Sequence, residues 1–437
     1  MHLKISAVML VALLSGCVST TETPAPVSGK PKSNTPPLVQ VKGASAEQIA
    51  SRLWYGGAPP EQLAPLDATE LEDLWQRIQL QLTFDVPQTR PIVEQRNFYS
   101  QHQSYLDRVA NRAQPFLHYI VQELEKRNMP LELALLPIVE SAFDPFAYSH
   151  ARASGMWQFM PATGTRFGLK QNFWYDGRRD VIESTRAALD YLQYLYNTLE
   201  HDWLNAIAAY NAGEGRIGRA IRANQKRRLP TDFWSLDLPA ETTVYVPKLL
   251  ALVDILKRPD DFDIVWKFIS NEPKITVVAT EGQIDLAIAA ELADLSVAEL
   301  QALNPGFNQW ATDPDGPHQL VLPIAKAESF SRLLAQTASE DRLQWQRYTV
   351  VSGDTLGKIA HQHKTTVDAI SRLNELNTNT IRIGQHLLIP TSAKAAGSYQ
   401  LSQQNRIAKA QNRTGGDIKI EYIVQNGDTL WDISRMH

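Results

Sequence analysis

Apolar residues recur at helical spacing between about residues 60 and 260. An apolar side chain every three to four positions forms one stripe along a helix, which is the face that packs into a core. The segments with this spacing are 71–82, 105–124, 185–199 and 202–210. Strand-like alternation is not sustained between residues 60 and 260, which argues against a sandwich, a barrel or a doubly wound sheet. The sequence therefore predicts a mainly α domain there.

Beyond residue 269 the pattern changes to short segments, and a stretch of nine residues recurs. Residues 348–356 (YTVVSGDTL) and 422–430 (YIVQNGDTL) share six of nine positions in register. The first copy predicts a strand at 348–351, a turn at Ser352-Gly353, a helix capped near Asp354 or Thr355, a second helix from about Thr366 and a strand at 387–389. The repeat is therefore expected to be a small βααβ unit.

Two further segments relate to this unit less completely. Residues 270–325 show a weaker similarity to the repeat, with the same order of predicted elements. We expect a degenerate copy there, with an unrelated α+β linker domain as the alternative. The second clear copy reaches His437 after only 16 residues, too few to close the unit. Either the chain is a truncated product or fragment, or this last module lacks its partner strand.

The N-terminal segment has the character of an export signal. Lys4 precedes an apolar stretch from Ile5 to Leu14, which is too short to cross about 30 Å of hydrocarbon as a helix. Leu14-Ser15-Gly16-Cys17 resembles the lipobox of bacterial lipoproteins, in which the cysteine is lipidated on its sulfur and its new amino group. By the same resemblance, Val18 in the next position indicates the outer membrane, with the protein facing the periplasm. An ordinary cleaved signal with an incidental cysteine is the alternative.

Composition and charge argue against nucleic-acid binding, disulfides and metal sites in this protein. The chain has 437 residues, 43% hydrophobic and 21% charged, so several soluble globular domains are expected. A net charge of −4 offers no general attraction to nucleic acid. Cys17 is the single cysteine, which excludes an intramolecular disulfide and a multi-cysteine metal site. The histidines show no HExxH spacing, and no metal or other cofactor is predicted.

One acidic residue stands in an apolar setting suited to acid catalysis. Glu140 lies within Ile138-Val139-Glu140-Ser141-Ala142-Phe143, at the end of a mostly apolar run. Burial favours the protonated carboxyl and so makes it a plausible general acid near neutral pH. A carboxylate at the end of an amphipathic helix is the alternative when this segment is considered alone.

Two other strings have the residue types of a sugar-binding cleft. They are 155–163 (GMWQFMPAT) and 209–213 (AYNAG). Sugar rings have apolar faces and hydroxyl edges, so a glycan cleft needs aromatic or thioether surface beside amides and hydroxyls. The helix that begins near Asp202 should end at Gly213 or Gly215, which places Tyr210 and Asn211 at its terminus. Packed turns with core aromatics are the alternative for each string.

Together, Glu140-Ser141, GMWQFMPAT and AYNAG resemble the motifs of the lytic transglycosylases with a lysozyme-like SLT domain. LPIVESAFDP (136–145) and the C-terminal repeats look specifically like the membrane-bound murein transglycosylase D type. The repeat itself resembles the LysM domain, which binds glycans containing N-acetylglucosamine. The resemblance implies cleavage of peptidoglycan between N-acetylmuramic acid and N-acetylglucosamine, with 1,6-anhydromuramoyl ends. Glu140 would be the single acid and base.

The resemblance also implies roles for other positions. The substrate-binding residues matched to the family are Ser149, Gln158, Met160, Tyr210, Asn211, Glu241 and Tyr245. Glu241 and Tyr245 have packing of the last helix as an alternative role. In the LysM domain the expected glycan-binding residues are Gly353, Asp354, Thr355, Leu356 and Ile383, for which turn formation and capping are the alternative.

The sequence thus predicts a multidomain protein in which a mainly α catalytic domain precedes small α+β modules. The predicted parts are a signal peptide (1–16), a flexible tether (17–45), a helical extension (46–109), an SLT domain (110–260), a degenerate LysM-like domain (270–325), a LysM domain (346–391), a linker (392–419) and an incomplete second LysM domain (420–437). The expected partners are peptidoglycan strands and, through Cys17, the outer membrane. No motif identifies a protein partner. The rival functions are a goose-type-lysozyme-like hydrolase, which would add water, and a non-catalytic wall-binding protein.

Overall fold

A computed structural model of the chain describes residues 67–412 and, outside that range, the backbone of two short segments. These segments are strand β1 (Lys4–Ser6) and Glu421–Ile423, which pair antiparallel with Ile5 opposite Tyr422. The chain divides into two compact units, residues 1–39 with 403–437 and residues 40–402. The predicted tether, Cys17 and most of the predicted signal and of the last repeat lie outside the described residues.

The first part of the larger unit is a helical domain, as the spacing of apolar residues predicts. Its helices are α1 (Leu74–Gln79), α2 (Arg90–Ser100), α3 (Gln103–Ala113), α4 (Leu117–Lys126), α5 (Leu136–Ser141), α6 (Pro161–Arg166), α7 (Val181–Thr198), α8 (Trp203–Ala212), α9 (Glu214–Arg227) and α10 (Ala240–Lys257). Their apolar faces meet in one core that extends from Leu74 to Ile269. The predicted periodic segment 105–124 forms two helices because Pro115 has no N–H with which to continue the hydrogen bonds of α3.

Local signals in the sequence set the ends of the helices near the site. The carboxylate of Asp180 accepts a hydrogen bond from the Glu183 N–H and caps α7. Asp202 caps α8 in the same way. Helix α8 ends at Gly213, whose φ of 84° lies in the left-handed region that glycine adopts without strain. The prediction that Tyr210 and Asn211 stand at a helix terminus is therefore confirmed.

Helix α10 is the most deeply buried helix of the described domain. Its residues from Tyr245 to Leu256 are buried with one exception, Lys248, and it packs along α2. Arg96 of α2 and Asp254 of α10 form a largely buried ion pair at 2.5 Å. Because burial covers nearly every side of α10, its polar residues must bond to neighbours inside the domain.

A first small module follows the helical domain. It consists of β2 (Ile275–Ala279), α11 (Leu286–Leu292), α12 (Val297–Leu303), β3 (Gln319–Pro323) and α13 (Ile324–Gln336). The two strands pair antiparallel with Val277 opposite Val321. Helix α12 begins with a capping box, in which Ser296 and Glu299 satisfy each other's backbone N–H groups.

The second module has the order of elements that the repeat predicts. It consists of β4 (Gln344–Thr349), α14 (Leu356–Gln362), α15 (Val367–Leu373) and β5 (His386–Thr391). The strands pair antiparallel with Tyr348 opposite Leu387. Its core is small and separate, built around Ile359, Ile370 and Ile389. Farther along the chain, α16 (Gln403–Gln411) belongs to the other compact unit.

The first module packs on a loop of the helical domain. The Asp176 N–H donates to the Gly306 carbonyl oxygen at 2.8 Å, and the ring of Tyr175 lies 5.3 Å from that of Phe307. A Cβ at Gly306 would come within 2.7 Å of the Tyr175 ring, so glycine is required for this close approach. The predicted architecture, a mainly α domain followed by βααβ modules, is confirmed. Within residues 67–412 no helix has both the length and the apolarity to cross a membrane.

Candidate active site

Glu140 lies in a short helix that ends in a strained turn. Helix α5 has six residues, and the two residues after it, Ala142 and Phe143, have φ values of 53° and 57°. Left-handed backbone is uncommon for residues other than glycine and persists where the surroundings hold it. Phe143 is fully buried and anchors the far side of the turn. We call residues 138–143 the acid-bearing turn.

The carboxyl of Glu140 contacts helix α10. The Tyr245 hydroxyl donates a hydrogen bond to Glu140 Oε1. Burial raises the pKa of Glu140 to about 7, while the Tyr245 hydrogen bond and the charge of Lys248 oppose the rise and the charge of Glu241 adds to it. A carboxyl with this pKa is present in both protonation states at neutral pH. The same group is therefore able to donate a proton and to accept one.

A second tyrosine is part of the same electrostatic environment. The Tyr210 hydroxyl donates to the Trp157 carbonyl oxygen at 2.8 Å. Burial raises the pKa of Tyr210 well above its usual value, and the charge of Glu140 adds to the rise. Both Tyr210 and Tyr245 thus stay protonated at neutral pH. They are hydrogen-bond donors beside a group that carries negative charge when ionised.

Two other predicted residues lie on the helices that carry these tyrosines. Asn211 Oδ1 accepts a hydrogen bond from the Thr242 hydroxyl at 3.1 Å, which joins the end of α8 to the start of α10. Glu241 is exposed in the first turn of α10. Glu140 is influenced by the charge of Glu241, without a hydrogen bond between them. Glu241 therefore does not make the packing contact that the alternative assigned to it.

The GMWQFM string forms a tight loop beside the acid-bearing turn. Gly155 has a φ of 84°, and a Cβ there would lie 1.9 Å from the Arg178 carbonyl oxygen. Gln158 donates from Nε2 to the Gly155 carbonyl oxygen at 2.7 Å. The Ser141 hydroxyl donates to the Met156 carbonyl oxygen at 3.0 Å, which attaches the loop to the turn. The Met160 side chain is exposed.

Ser149 lies in the segment that links the turn to this loop. Its hydroxyl oxygen accepts a hydrogen bond from the Ala153 N–H at 3.0 Å, and the residue is half-buried. The Gln158 amide also points back to this segment, with Nε2 3.5 Å from the Ala147 carbonyl oxygen. Both side chains thus hold the local backbone.

Sequence reasoning missed residues on two helices that act on the acid-bearing turn. The Tyr105 hydroxyl donates to the Ile138 carbonyl oxygen at 3.1 Å, and Arg112 Nη1 donates to the Ala142 carbonyl oxygen at 3.3 Å. No local signal links α3 to Glu140, because the contact is purely tertiary. Lys248, by contrast, follows Tyr245 by three residues on α10, and that spacing predicts a shared helix face.

The predicted residues of the second module have structural roles. Asp354 accepts hydrogen bonds from the Val351 N–H and the Tyr348 hydroxyl. Thr355 caps α14 by accepting from the Lys358 N–H, and Gly353 adopts a φ of 84°. The prediction for Leu356 is wrong as regards its side chain, which is buried in the core of the module and cannot line a surface groove. Ile383 is 73% exposed.

The structure thus brings Glu140, Tyr210 and Tyr245 together, with the 149–160 loop next to them. The charge of Glu241 acts on Glu140. The second module holds its own predicted residues around one turn and, at Ile383, in a separate loop. Across the described residues no cluster of three or more histidine, cysteine, aspartate or glutamate side chains is arranged to hold a metal ion.

Comparison with known families assigns the parts of the chain. The transglycosylase SLT domain matches residues 118–231. The LysM-like domain of lytic transglycosylase MltD matches residues 274–339, and the LysM domain matches residues 348–390 and 422–437. The middle part of the helical domain and both small modules therefore each match a known family.

The chain is also similar to individual proteins. The membrane-bound lytic murein transglycosylase D of Escherichia coli K12 is 39% identical over 375 residues, which cover 84% of this chain and 80% of that protein. The soluble lytic murein transglycosylase of Salmonella typhimurium is 34% identical over 120 residues, covering 26% of this chain and 18% of that protein. The crystal structure of the 70 kDa soluble lytic transglycosylase of Escherichia coli is 21% identical, with a TM-score of 0.28 over 43% of this chain and 33% of that one. From the extent and identity of the first match, the chain belongs to the family of the membrane-bound lytic murein transglycosylase D.

Proposed function

We propose that Glu140 is the single acid and base with which this peptidoglycan lytic transglycosylase cleaves the β-1,4 bond between N-acetylmuramic acid and N-acetylglucosamine. The observation that carries the proposal is the raised pKa of Glu140, about 7, in contact with Tyr245. A carboxyl of ordinary pKa would be ionised at neutral pH and would make a poor proton donor. Family membership supplies the reaction class, and the setting of Glu140 supports the assignment of its role.

The reaction uses the two protonation states in turn. Protonated Glu140 donates its proton to the glycosidic oxygen as the bond from that oxygen to the muramoyl C1 breaks. The resulting carboxylate then removes the proton of the muramoyl C6 hydroxyl. The C6 oxygen bonds to C1, so a 1,6-anhydromuramoyl end forms and water is not consumed. Glu140 is protonated again at the end of the cycle.

Glycosidases generally place a second carboxylate across the bond from the acid. In this proposal the carbonyl of the muramoyl 2-acetamido group stabilises the positive charge at C1 instead. The remaining predicted residues position the sugar. Tyr210 and Tyr245 stay protonated beside Glu140, and Ser149, Gln158, Met160, Asn211 and Glu241 are proposed to contact the glycan around it.

The LysM modules are proposed to raise the local concentration of glycan strands. Weak sites on one chain strengthen each other because the second binding event is intramolecular. The proposed contact region of the second module consists of Gly353, Asp354, Thr355 and Ile383, with Leu356 contributing only its backbone.

Attachment to the outer membrane through lipid on Cys17 is the proposed location, with the protein facing the periplasm. The support is the lipobox-like Leu14-Ser15-Gly16-Cys17, and a relative described as membrane-bound. Radiolabelled palmitate supplied to cells should enter the wild-type protein and not Cys17→Ser, and equal labelling of both would exclude this anchor.

The test of the function is mass spectrometry of fragments released from purified peptidoglycan by the protein with Cys17→Ser. We expect fragments one water lighter than hydrolysis products, with anhydromuramic acid at their ends, and none from the matched Glu140→Gln variant. Fragments with reducing ends would identify a lysozyme-like hydrolase. If the wild type binds peptidoglycan but releases nothing, the protein is a wall-binding protein. Undiminished release by Glu140→Gln would refute the role of Glu140.

A further inference from the structure

Helix α3 contacts the acid-bearing turn on both sides of Glu140. Tyr105, near the start of α3, donates to the Ile138 carbonyl oxygen, two residues before Glu140. Arg112, near its end, donates to the Ala142 carbonyl oxygen, two residues after Glu140. Arg112 also forms a 3.3 Å ion pair with Asp144 just beyond the turn. One helix thus bonds the backbone before and after the catalytic carboxyl.

The turn needs such restraints because its own bonds are few. The Ala142 N–H donates to the Ile138 carbonyl oxygen and the Phe143 N–H to the Pro137 carbonyl oxygen, both at 3.1 Å. These bonds close the short helix but leave two successive residues in the left-handed region. Strained backbone of this kind persists only where the surrounding structure determines it. Outside α5 itself, the turn is restrained by the bonds from α3, by the Ser141 contact to Met156 and by the burial of Phe143 in the domain core.

Tyr105 is itself firmly held. Its ring stacks on that of Tyr99 with 6.1 Å between centroids, and the Arg108 guanidinium lies 5.9 Å from the ring centroid. The side chain is half-buried against the core of the helical domain. A hydroxyl on such a fixed ring is suited to set the position of a backbone carbonyl, because little freedom remains to be lost when the bond forms.

We propose that Tyr105 and Arg112 are positioning residues, which hold the acid-bearing turn from α3 so that the Glu140 carboxyl stays against the Tyr245 hydroxyl. The proposal rests on the proposed role of Glu140 as the acid and base. It also extends the catalytic unit beyond residues 118–231, the part matched by the transglycosylase domain. A displacement of about 1 Å at a reacting group costs roughly 100-fold in rate, so a partial loss of the restraint should be measurable.

The test compares Tyr105→Phe with Tyr119→Phe in the 437-residue chain. Tyr119 is a half-buried tyrosine on α4, and in the described structure its hydroxyl forms no bond to the acid-bearing turn. We expect Tyr105→Phe to lower kcat about tenfold, within the range that misplacement causes, and to leave KM within about twofold. Tyr119→Phe should match the wild type. Arg112→Ala should lower kcat in the same way, with partial recovery in Arg112→Lys, which keeps a donor at that position.

A double-mutant cycle separates positioning from a general structural effect. If Tyr105 acts by keeping Glu140 against Tyr245, its removal should matter little once Tyr245→Phe has broken that contact, so the two effects should be clearly non-additive. The proposal would be overturned if the effects of Tyr105→Phe and Tyr245→Phe on kcat multiply as independent effects do. It would also be overturned if Tyr105→Phe has the kcat and the pH profile of the wild type. Failure of the proposed function looks different, because Glu140→Gln would then remain active. If Glu140→Gln is inactive and Tyr105→Phe is as active as the wild type, only the positioning role is rejected.

Discussion

Two carboxyl groups of this protein each accept a hydrogen bond from a tyrosine hydroxyl, yet their pKa values move in opposite directions. In the helical domain burial raises the pKa of Glu140 to about 7 even though Tyr245 bonds to it. In the second small module the Val351 N–H, the Tyr348 hydroxyl and Lys358 lower the pKa of Asp354. Both carboxyl groups have the tyrosine contact, so this contact does not decide the direction in which the pKa moves.

The difference lies in what else surrounds each carboxyl. Glu140 has one hydroxyl donor and an apolar domain core next to it, so removal from water dominates. Asp354 has a backbone N–H, a hydroxyl and an ammonium group around its carboxylate, which these partners cover almost completely. A carboxylate supplied with several donors remains ionised and stabilises a turn. The surroundings of Glu140 are suited to proton transfer. Those of Asp354 are suited to stabilising a turn in a binding module.

The largest effect should come from breaking the Glu140 pair without removing the acid. Tyr245→Phe deletes the hydroxyl alone. Hydrogen bonds to charged groups contribute about 1.5–3 kcal/mol, so we expect kcat/KM at neutral pH to fall by roughly 10- to 100-fold. In the wild type kcat/KM should decline as pH rises through about 7, because Glu140 loses the proton it must donate. Since Tyr245 lowers that pKa, the alkaline limb should move to higher pH in the variant.

The matched control for this prediction is Tyr191→Phe. The Tyr191 hydroxyl lies 3.3 Å from Glu214 in the same domain, so Tyr191→Phe removes a tyrosine–glutamate contact of the same type that does not involve Glu140. Its pH profile should equal that of the wild type. An alkaline limb of Tyr245→Phe that stays in place or moves to lower pH would show that this contact does not lower the pKa of Glu140.

A smaller effect is expected from the cap that stands next to Asp354. Thr355→Ala removes the hydroxyl that accepts the Lys358 N–H, and loss of such a cap costs about 1 kcal/mol. Hydrogen exchange in peptides of residues 348–390 should report this loss as a lower free energy of local unfolding. Thr355→Ser keeps the cap and should retain both exchange protection and glycan binding. Weaker binding in Thr355→Ser with unchanged exchange would instead indicate direct contact with the glycan.

The smallest effect on the fold should come from Ile383, which is 73% exposed. We expect Ile383→Ser to change stability by no more than about 0.5 kcal/mol, as surface substitutions usually do. If the side chain packs on a sugar face, binding of the Glu140→Gln protein to insoluble peptidoglycan should weaken roughly fivefold, equivalent to about 1 kcal/mol. Val265→Ser, equally exposed on the helical domain, is the control. Unchanged binding would remove Ile383 from the proposed contact region.

Local patterns in the sequence predicted much of the fold and part of the site. Asp202 and Gly213 delimit α8 in the structure as their capping and left-handed propensities predict. The repeat at 348–356 predicted the strand, cap and helix of the second module. Leu356 shows the limit of such reasoning, because a motif position can belong to the core as well as to the surface. Only the packed module shows which face its side chain occupies.

The sequence by itself determined the helical domain and the repeated modules and indicated Glu140 as the proposed acid, because periodicity, caps and the apolar setting of Glu140 are local properties of the chain. Only the tertiary structure decided how that acid is tuned and held. Tyr245 lies 105 residues from Glu140, and Tyr105 lies 33 residues from Ile138. Contacts over such separations leave no trace in local spacing, because they arise from the packing of whole helices against one another.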